Sequence, residues 1–176
     1  MREYKILFTG TMGAGKTTAI AAISDIEPVS TDVQNNDPNL DKARTTVGLD
    51  YGEVVLGPDE RLRLYGTPGQ ARFAFMWGIL ARGALGLVIL IDNSRPDPLG
   101  DLQVYLDGFA DCIAGAPCVI GVGRLPGHPV PGLDDYAAAL ARAGHSFPVV
   151  EVDVREAEQV RMLLDLLLLQ LECTAA

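Results

Sequence analysis

The residues best suited to chemistry lie in one short stretch near the start of the chain. Residues 10–17 read GTMGAGKT, in which glycines recur at close spacing ahead of Lys16 and Thr17. Such glycines allow successive backbone N–H groups to turn toward a phosphate, while the lysine can reach the terminal phosphates and the hydroxyl can ligate Mg²⁺. The stretch is therefore predicted to cradle the phosphates of a nucleotide. Its predicted binding residues are Gly10, Gly13, Ala14, Gly15, Lys16, Thr17 and Thr18.

The segments around this stretch suit such a cradle. A short β-rich run, residues 4–9, precedes it, and a segment with helical periodicity, residues 16–24, follows it. Further along, strand-like and helix-like segments alternate, with crossovers long enough to join parallel strands. We predict a single α/β domain over residues 1–176, doubly wound, with a mostly parallel six-stranded sheet, one antiparallel edge strand and helices on both faces.

The remaining predicted elements complete this alternation. Residues 47–56 and 61–66 read as two strands of an antiparallel hairpin around a Gly-Pro-Asp-Glu turn, and the polar segment 28–42 reads as a mobile loop. The others, in chain order, are a helix at 71–82, a strand at 83–92, a helix at 101–114, a strand at 118–123, a helix at 133–143, a strand at 147–154 and a helix at 156–172.

Charge and composition argue against several classes of protein. Fourteen Lys and Arg residues against 23 Asp and Glu residues give a net charge of −9, which disfavours binding to nucleic acid or anionic lipid. The longest apolar run, near the C-terminus, is interrupted by Asp165 and Gln170 and is too short to span a bilayer. The three cysteines lack the spacing of a zinc site. We expect a cytoplasmic protein with no nucleic-acid partner and no direct membrane anchor.

Beyond the cradle, the sequence resembles the Ras-like small GTPases. TVGLDYGEVVL resembles the switch I strand of Rab-type members, GTPGQARF resembles their switch II, and RGALGLVILID resembles the helix end and strand that follow. The Pro-Gly-Gln order narrows the resemblance to a bacterial branch, the MglA-type GTPases and the proteins associated with roadblock-domain partners. The resemblance implies a P-loop NTPase that binds Mg²⁺ with GTP or GDP, acts as a molecular switch, and hydrolyses GTP slowly without a partner.

The resemblance also implies roles for residues outside the cradle. Thr46, or less favourably Thr45, takes the place of the switch I threonine that contacts Mg²⁺ and the γ-phosphate. Gly69 supplies a backbone N–H that senses the γ-phosphate, and Gln70 orients the attacking water. Arg44 could act as an internal arginine finger, although a solvated loop arginine is the simpler interpretation. The implied catalytic residues are Gln70, Lys16 and Arg44, and the implied metal ligands are Thr17 and Thr46.

One departure from the family pattern concerns the metal. Gly66 stands where most Ras-like proteins carry an aspartate that holds a water on Mg²⁺. Bacterial members of the branch also lack this acid, so its absence need not abolish activity. Asp50 and Asp92 are candidate replacements, although structural or solvent-facing roles are favoured for both.

A second departure concerns the base. The family reads guanine with Asn-Lys-x-Asp, and the corresponding residues here are Gly123, Arg124, Leu125 and Pro126. The missing carboxylate normally accepts two hydrogen bonds, each worth roughly 1.5–3 kcal/mol, while Arg124 could still stack on the base. The base therefore stays open: GTP leads by resemblance, and ATP and ADP, or weak selection between purines, are the alternative.

Two apolar surfaces indicate partners. Phe73, Phe75, Met76 and Trp77 exceed what one buried helix face requires, which favours a regulator docking there. By resemblance this is a roadblock-type protein with an activating or exchange role. Apolar residues on the outer side of the last helix indicate a wider core contact or, alternatively, an oligomer surface. Two further functions compete with the switch: a nucleotide-stabilised interaction module without turnover and, last, a P-loop kinase.

Overall fold

The computed structural model describes residues 2–30 and 49–175, which form a central sheet covered by helices on both faces. The strands are β1 (Arg2–Gly10), β2 (Val29–Ser30), β3 (Asp50–Gly57), β4 (Glu60–Gly66), β5 (Ala84–Asp92), β6 (Cys118–Gly123) and β7 (Val149–Glu151). The helices are α1 (Lys16–Ile23), a 3₁₀ helix (Ala71–Met76), α2 (Trp77–Ala81), α3 (Pro98–Gly108), α4 (Ala110–Ile113), α5 (Leu133–Arg142) and α6 (Ala157–Ala175).

The sheet of the described residues has seven strands in the order β2-β3-β4-β1-β5-β6-β7. Strands β4, β1, β5, β6 and β7 are parallel, and β3 runs antiparallel to both of its neighbours. The predicted α/β fold is confirmed. There are seven strands rather than the predicted six because Val29–Ser30 pairs with the start of β3. The antiparallel strand therefore lies next to the edge of the sheet.

The core lies in two layers, one on each face of β1. Ile6 and Phe8 pack with residues of α1 and α6, whereas Leu7 between them packs with residues of α3 and α5, as the alternation of a strand requires. Burial of each such side chain contributes about 1.5–3 kcal/mol. The two layers hold β1 at the centre of the sheet, so the loop that follows it is anchored on both sides.

Several elements differ in extent from the predicted ones. The helix predicted at 101–114 begins at Pro98 and is divided into α3 and α4 at Phe109. The helix predicted at 71–82 divides into a 3₁₀ helix and α2 at the point where the Trp77 side chain, 2% exposed, enters the core. The strand predicted at 147–154 is limited to Val149–Glu151, which pairs with residues 120–122 of β6. Of the loop predicted at 28–42, residues 29 and 30 form β2 and residues 31–42 lie outside the described part.

Across residues 2–30 and 49–175, no helix combines the length and the apolar character that crossing a membrane requires.

Candidate functional site

The stretch GTMGAGKT forms the loop between β1 and α1, as predicted. Gly13 and Gly15 have φ angles of 81° and 97°, a left-handed backbone that side chains other than glycine rarely adopt. Gly15 directly precedes the first helical residue, so the N-terminus of α1 opens onto the loop. A helix N-terminus presents unpaired N–H groups and the positive end of the helix dipole, which together favour an anion. The backbone therefore forms a concave site for phosphate.

Lys16 lies inside this loop rather than on the surface. Its residue is 8% exposed, and its Nζ donates hydrogen bonds of 2.8 Å to the carbonyl oxygens of both Gly10 and Thr11. Burial lowers the pKa of Lys16 to about 8, and the negative charge of Asp50 opposes that shift. A phosphate in the loop would favour the charged ammonium. The loop thus holds Lys16 in a position where its ammonium group can form an ion pair with an anionic ligand.

Thr17 forms a hydrogen bond with Asp50, and this pair identifies the carboxylate nearest to the predicted metal ligand. The Thr17 hydroxyl donates to Asp50 Oδ2 at 2.6 Å, and the Ser30 hydroxyl donates to Asp50 Oδ1 at 2.8 Å. Asp50 is 4% exposed and is the cross-strand partner of Gly66. A Cβ added at Gly66 would lie 2.9 Å from Asp50 Oδ2. The Asp50 carboxylate therefore occupies the space that an acid at position 66 would need.

These residues fit Mg²⁺, an ion that takes oxygen ligands and keeps several waters. Because the Thr17 hydroxyl donates its hydrogen bond to Asp50, the lone pairs of its oxygen can face a metal. The described residues contain no group of three or more His, Cys, Asp or Glu side chains that could hold a metal alone. Of the described residues, Thr17 and Asp50 would hold the ion, together with phosphate oxygens and water.

The segment after β4 closes the other side of the phosphate site. A cavity of about 230 Å³ is lined by residues of the cradle together with Asp50, Gly69 and Gln70. Gly69 comes so close to the cradle that an added Cβ would lie 2.8 Å from Lys16 Nζ. The Gln70 amide nitrogen is 3.8 Å from the Met12 sulfur. The structure thus brings Gly69 next to the lysine and places Gln70 in the lining of the same cavity, and the roles of both residues stay predictions.

A second, larger cavity of about 590 Å³ adjoins the cradle at the ends of β5, β6 and β7. Arg124 lies at its wall. The guanidinium donates to the carbonyl oxygen of Gly13 at 3.3 Å and forms a 3.0 Å ion pair with Asp92 Oδ2. Asp92 also accepts hydrogen bonds from Ser94. Arg124 therefore joins the cradle to the sheet and presents a flat cation to this cavity, which has room for a base and a sugar.

The carboxylates around the larger cavity are not where the family pattern has one. Pro126 lines the cavity at the position of the missing aspartate, and the acids that line it are Asp92, Glu151 and Asp153. The Asp153 carboxylate accepts two hydrogen bonds from the Arg155 guanidinium, which hold its pKa at about 2. It is therefore an ionised acceptor at the rim of the cavity.

Several residues fell outside the prediction or lie outside the described part. Arg44, Thr45 and Thr46 are among residues 31–48 and lie outside the described part. The contact of Asp50 with Thr17 was not predicted, because Asp50 lies opposite Gly66 only through a one-residue shift in the pairing of β3 and β4 between Val55 and Gly57. Trp77 was grouped with the exposed anchors, and the structure corrects this, since it is buried and stacks on Tyr105 of α3 and on Phe109.

The strand order, the single described antiparallel strand next to the edge and the glycine loop after the central strand define the fold of Ras-like P-loop GTPases. Relatives of known name agree with this class. The chain is 26% identical over 108 residues to intraflagellar transport protein 22 of Chlamydomonas reinhardtii, covering 61% of this chain and 53% of that protein. It is 25% identical over 107 residues to GTP-binding protein YPTM2 of Zea mays, covering 59% and 47%.

A third relative is Ras-related protein Rab-18-B of Danio rerio, 27% identical over 106 residues that cover 58% of this chain and 46% of that protein. The chain spans about half the length of the curated relatives it matches. No model of a known protein family matches the chain. The comparisons thus show a distant similarity to Ras- and Rab-type GTP-binding proteins, and the bacterial MglA-type branch stays a prediction.

Proposed function

We propose that the chain is a nucleotide-dependent molecular switch that binds GTP or GDP with Mg²⁺ and hydrolyses GTP slowly. One observation supports this most: Lys16, the Thr17–Asp50 pair and the Gly69–Gln70 segment line one cavity of about 230 Å³. A phosphate there would meet a cation, oxygen ligands for the metal and backbone donors at once. This combination suits phosphoryl transfer, in which positioning and charge stabilisation supply most of the rate.

Each group has a distinct role in the proposed hydrolysis. The Lys16 ammonium and the N–H groups of the loop stabilise the charge that develops on the phosphate oxygens. Mg²⁺, when bound, neutralises part of the same charge. Thr17 and Asp50 orient each other at the metal site, and Gln70 orients the attacking water. From the segment outside the described residues, we propose Thr46 as a further metal ligand and Arg44 as an internal arginine finger.

A second candidate function is an ATP-binding or purine-unselective relative. It is favoured by Pro126, which lines the larger cavity where the family's guanine-reading carboxylate would be. A guanidinium can stack on either purine, so Arg124 does not decide between them. The relative named GTP-binding protein YPTM2 and the resemblance to Ras-like GTPases favour guanine, and GTP is therefore the first choice.

We also propose a regulator, of roadblock type by resemblance, that docks on the apolar side of the switch II segment, residues 66–81. Phe75 is 72% exposed, Ile79 is also exposed, and the Arg72 guanidinium lies 4.8 Å from the centre of the Phe73 ring. Aromatic residues and arginines are enriched at protein interfaces. The exposed Met162 and Leu169 of α6 offer a second surface for an oligomer.

We also propose a cytoplasmic location. The free thiols of Cys112, Cys118 and Cys173 support it.

Nucleotide titration tests the binding step. The purified chain is titrated with labelled GTP, GDP, ATP and ADP in the presence of Mg²⁺. Lys16→Ala should weaken binding at least roughly tenfold, since it removes a charged partner worth about 1.5–3 kcal/mol. Lys5→Ala is the matched control, because Lys5 lies against Tyr65 and the Arg82 carbonyl. Failure of the wild-type chain to bind any of the four nucleotides refutes the proposal.

Single-turnover hydrolysis of the preferred triphosphate tests the catalytic step. Gln70→Leu should slow hydrolysis by about 100-fold, the lower end of the range for positioned groups that assist proton transfer. Gln103→Leu, an exposed substitution on α3, should leave the rate unchanged. Tight binding with no turnover, in the presence or absence of a regulator, would replace the switch with a nucleotide-stabilised interaction module.

A further inference from the structure

We propose that Trp77 and Tyr105 are positioning residues that orient two consecutive peptide units, so that the Gly69 N–H faces the terminal phosphate. The inference rests on the proposed function and deepens it. It concerns two hydrogen bonds that join the start of the switch II segment to the helices beneath it. The Trp77 indole N–H donates to the carbonyl oxygen of Pro68 at 3.3 Å, and the Tyr105 hydroxyl donates to that of Gly69 at 3.4 Å.

The two donors are held rigidly by an aromatic stack. The Trp77 ring stacks on Tyr105 at 4.9 Å between ring centres and on Phe109 at 5.2 Å. Gly108 makes room for it, since an added Cβ there would lie 2.6 Å from the indole ring. Both ring-bearing residues are buried. The indole and the phenol therefore have fixed positions relative to the sheet.

Because the peptide bond is planar, a hydrogen bond to a carbonyl oxygen also orients the N–H group of the next residue. In a trans peptide the C=O of one residue and the N–H of the next point in opposite directions. The Pro68 carbonyl points to Trp77, so the Gly69 N–H of the same peptide unit points away from the aromatic stack. By the same geometry, the Tyr105 bond to the Gly69 carbonyl fixes the Gln70 N–H. Two consecutive peptide units are thus oriented by ring donors.

We assign the side of this segment that faces away from the stack to the phosphate cavity. Gly69 and Gln70 both line that cavity, and a Cβ added at Gly69 would lie 2.6 Å from the Met12 nitrogen. The Gly69 N–H donates no hydrogen bond to any other described residue. Thr67, just before, is fixed to β1 through its N–H to the Phe8 carbonyl and its hydroxyl to that of Thr9. The Gly69 N–H therefore points away from the stack and has no acceptor among the described residues.

This arrangement should affect recognition of the third phosphate and not of the first two. The loop and Lys16 provide the contacts that a diphosphate shares with a triphosphate, whereas the oriented Gly69 N–H faces the additional group. Releasing the Pro68 or Gly69 carbonyl lets the peptide rotate, and the triphosphate loses a preoriented donor. One neutral hydrogen bond corresponds to a loss of about 3- to 10-fold in affinity.

The experiment compares the affinities of the full chain for GDP and for the nonhydrolysable triphosphate guanosine 5′-β,γ-imidotriphosphate. If the wild-type chain prefers adenine, the corresponding adenine pair is used. Tyr105→Phe removes one hydroxyl and keeps the ring. Trp77 is the only tryptophan in the sequence, so biosynthetic replacement of tryptophan by 3-benzothienylalanine removes only this N–H and keeps the bicyclic ring. Tyr4→Phe is the control, because its hydroxyl bonds Glu60 at the opposite end of β1.

Each single change should lower the triphosphate-to-diphosphate affinity ratio about 3- to 10-fold, with GDP affinity within about twofold, and Tyr4→Phe should leave the ratio at the wild-type value. If the two residues had a purely structural role, the affinities for the diphosphate and the triphosphate would fall together. An unchanged ratio in folded Tyr105→Phe and benzothienylalanine proteins overturns this inference and leaves the proposed function intact. A wild-type chain that binds neither nucleotide overturns the proposed function and this inference with it.

Discussion

The Asp50 carboxylate is predicted to support the metal from a strand next to the one that carries the acid in most Ras-like proteins. Asp50 and Gly66 are cross-strand partners in the hairpin of β3 and β4. Asp50 Oδ2 lies 2.6 Å from the Thr17 hydroxyl, and a Cβ at position 66 would lie 2.9 Å from the same oxygen. One carboxylate can therefore enter the site from either strand, but two cannot enter together.

Three variants test this arrangement. Asp50→Gly removes a buried charge-assisted hydrogen bond worth about 1.5–3 kcal/mol, so the Mg²⁺-dependent affinity for GTP should fall roughly 10- to 100-fold. Gly66→Asp alone crowds two carboxylates and should lower the free energy of unfolding by about 1–3 kcal/mol. The exchange variant, which carries both substitutions, frees the space at position 50 and returns an acid at position 66. It should recover most of the lost affinity.

The assay is the GTP affinity of each variant in excess Mg²⁺ and in excess EDTA, with urea unfolding to verify that the variants fold. Asp59→Gly and Gly57→Asp are matched controls in the turn of the same hairpin, and an added Cβ at Gly57 meets nothing within 4 Å. Wild-type Mg²⁺ dependence in a folded Asp50→Gly protein would refute the reasoning. So would an exchange variant that binds no better than Asp50→Gly.

Three further predictions concern charge, base contact and packing. Because the pKa of Lys16 is about 8 without nucleotide and phosphate favours its charged form, nucleotide binding at about pH 8 should take up close to half a proton. Without nucleotide, the free energy of unfolding should rise between about pH 8 and the pKa that Lys16 has in the unfolded chain. In that pH range the unfolded chain binds more protons than the folded chain. Calorimetry in buffers of different ionisation enthalpy measures the uptake, and equal uptake by Lys16→Arg, whose guanidinium does not titrate, would contradict it. Arg124→Met removes the contact with Gly13 and the stacking cation. In the nucleotide titration, it should lower the affinities for guanine and adenine nucleotides roughly 3- to 10-fold. Arg161→Met on α6 is its control, and equal affinities would exclude Arg124 from the site. Phe75→Ala should change the free energy of unfolding by less than about 0.5 kcal/mol, whereas Trp77→Ala should lower it by about 3–5 kcal/mol. If urea unfolding showed similar decreases in the free energy of unfolding for the two variants, the reasoning from the different burial of the two rings would be wrong.

The place of Asp50 shows why part of the site could not be predicted. The hairpin and its turn were predicted from local signals, and regular pairing back from the turn would be needed to find the partner of Gly66. The pairing shifts by one residue between Val55 and Gly57. A shift of one residue in a strand moves every later side chain to the other face of the sheet. The sequence does not reveal that irregularity, so it could not decide whether Asp50 faces Thr17.

Trp77 shows the same limit for packing. Four large apolar residues within positions 73–77 indicated a surface richer than one buried face requires, which is correct for Phe75. Which of them turns inward depends on the change from 3₁₀ to α-helix and on Gly108, a residue more than thirty positions away that leaves space for the indole. Local periodicity contains neither fact.

The sequence by itself determined the cradle, because its shape follows from dihedral angles that glycines adopt at Gly13 and Gly15 and from a helix that begins at the next residue. It also determined the α/β class, through alternating strand and helix patterns. The tertiary structure decided which side chains complete the site. Thr17 meets Asp50 across 33 residues, and Arg124 meets Gly13 across 111. Backbone preferences belong to each residue and its neighbours, whereas such contacts depend on strand register and packing, which only the folded chain sets.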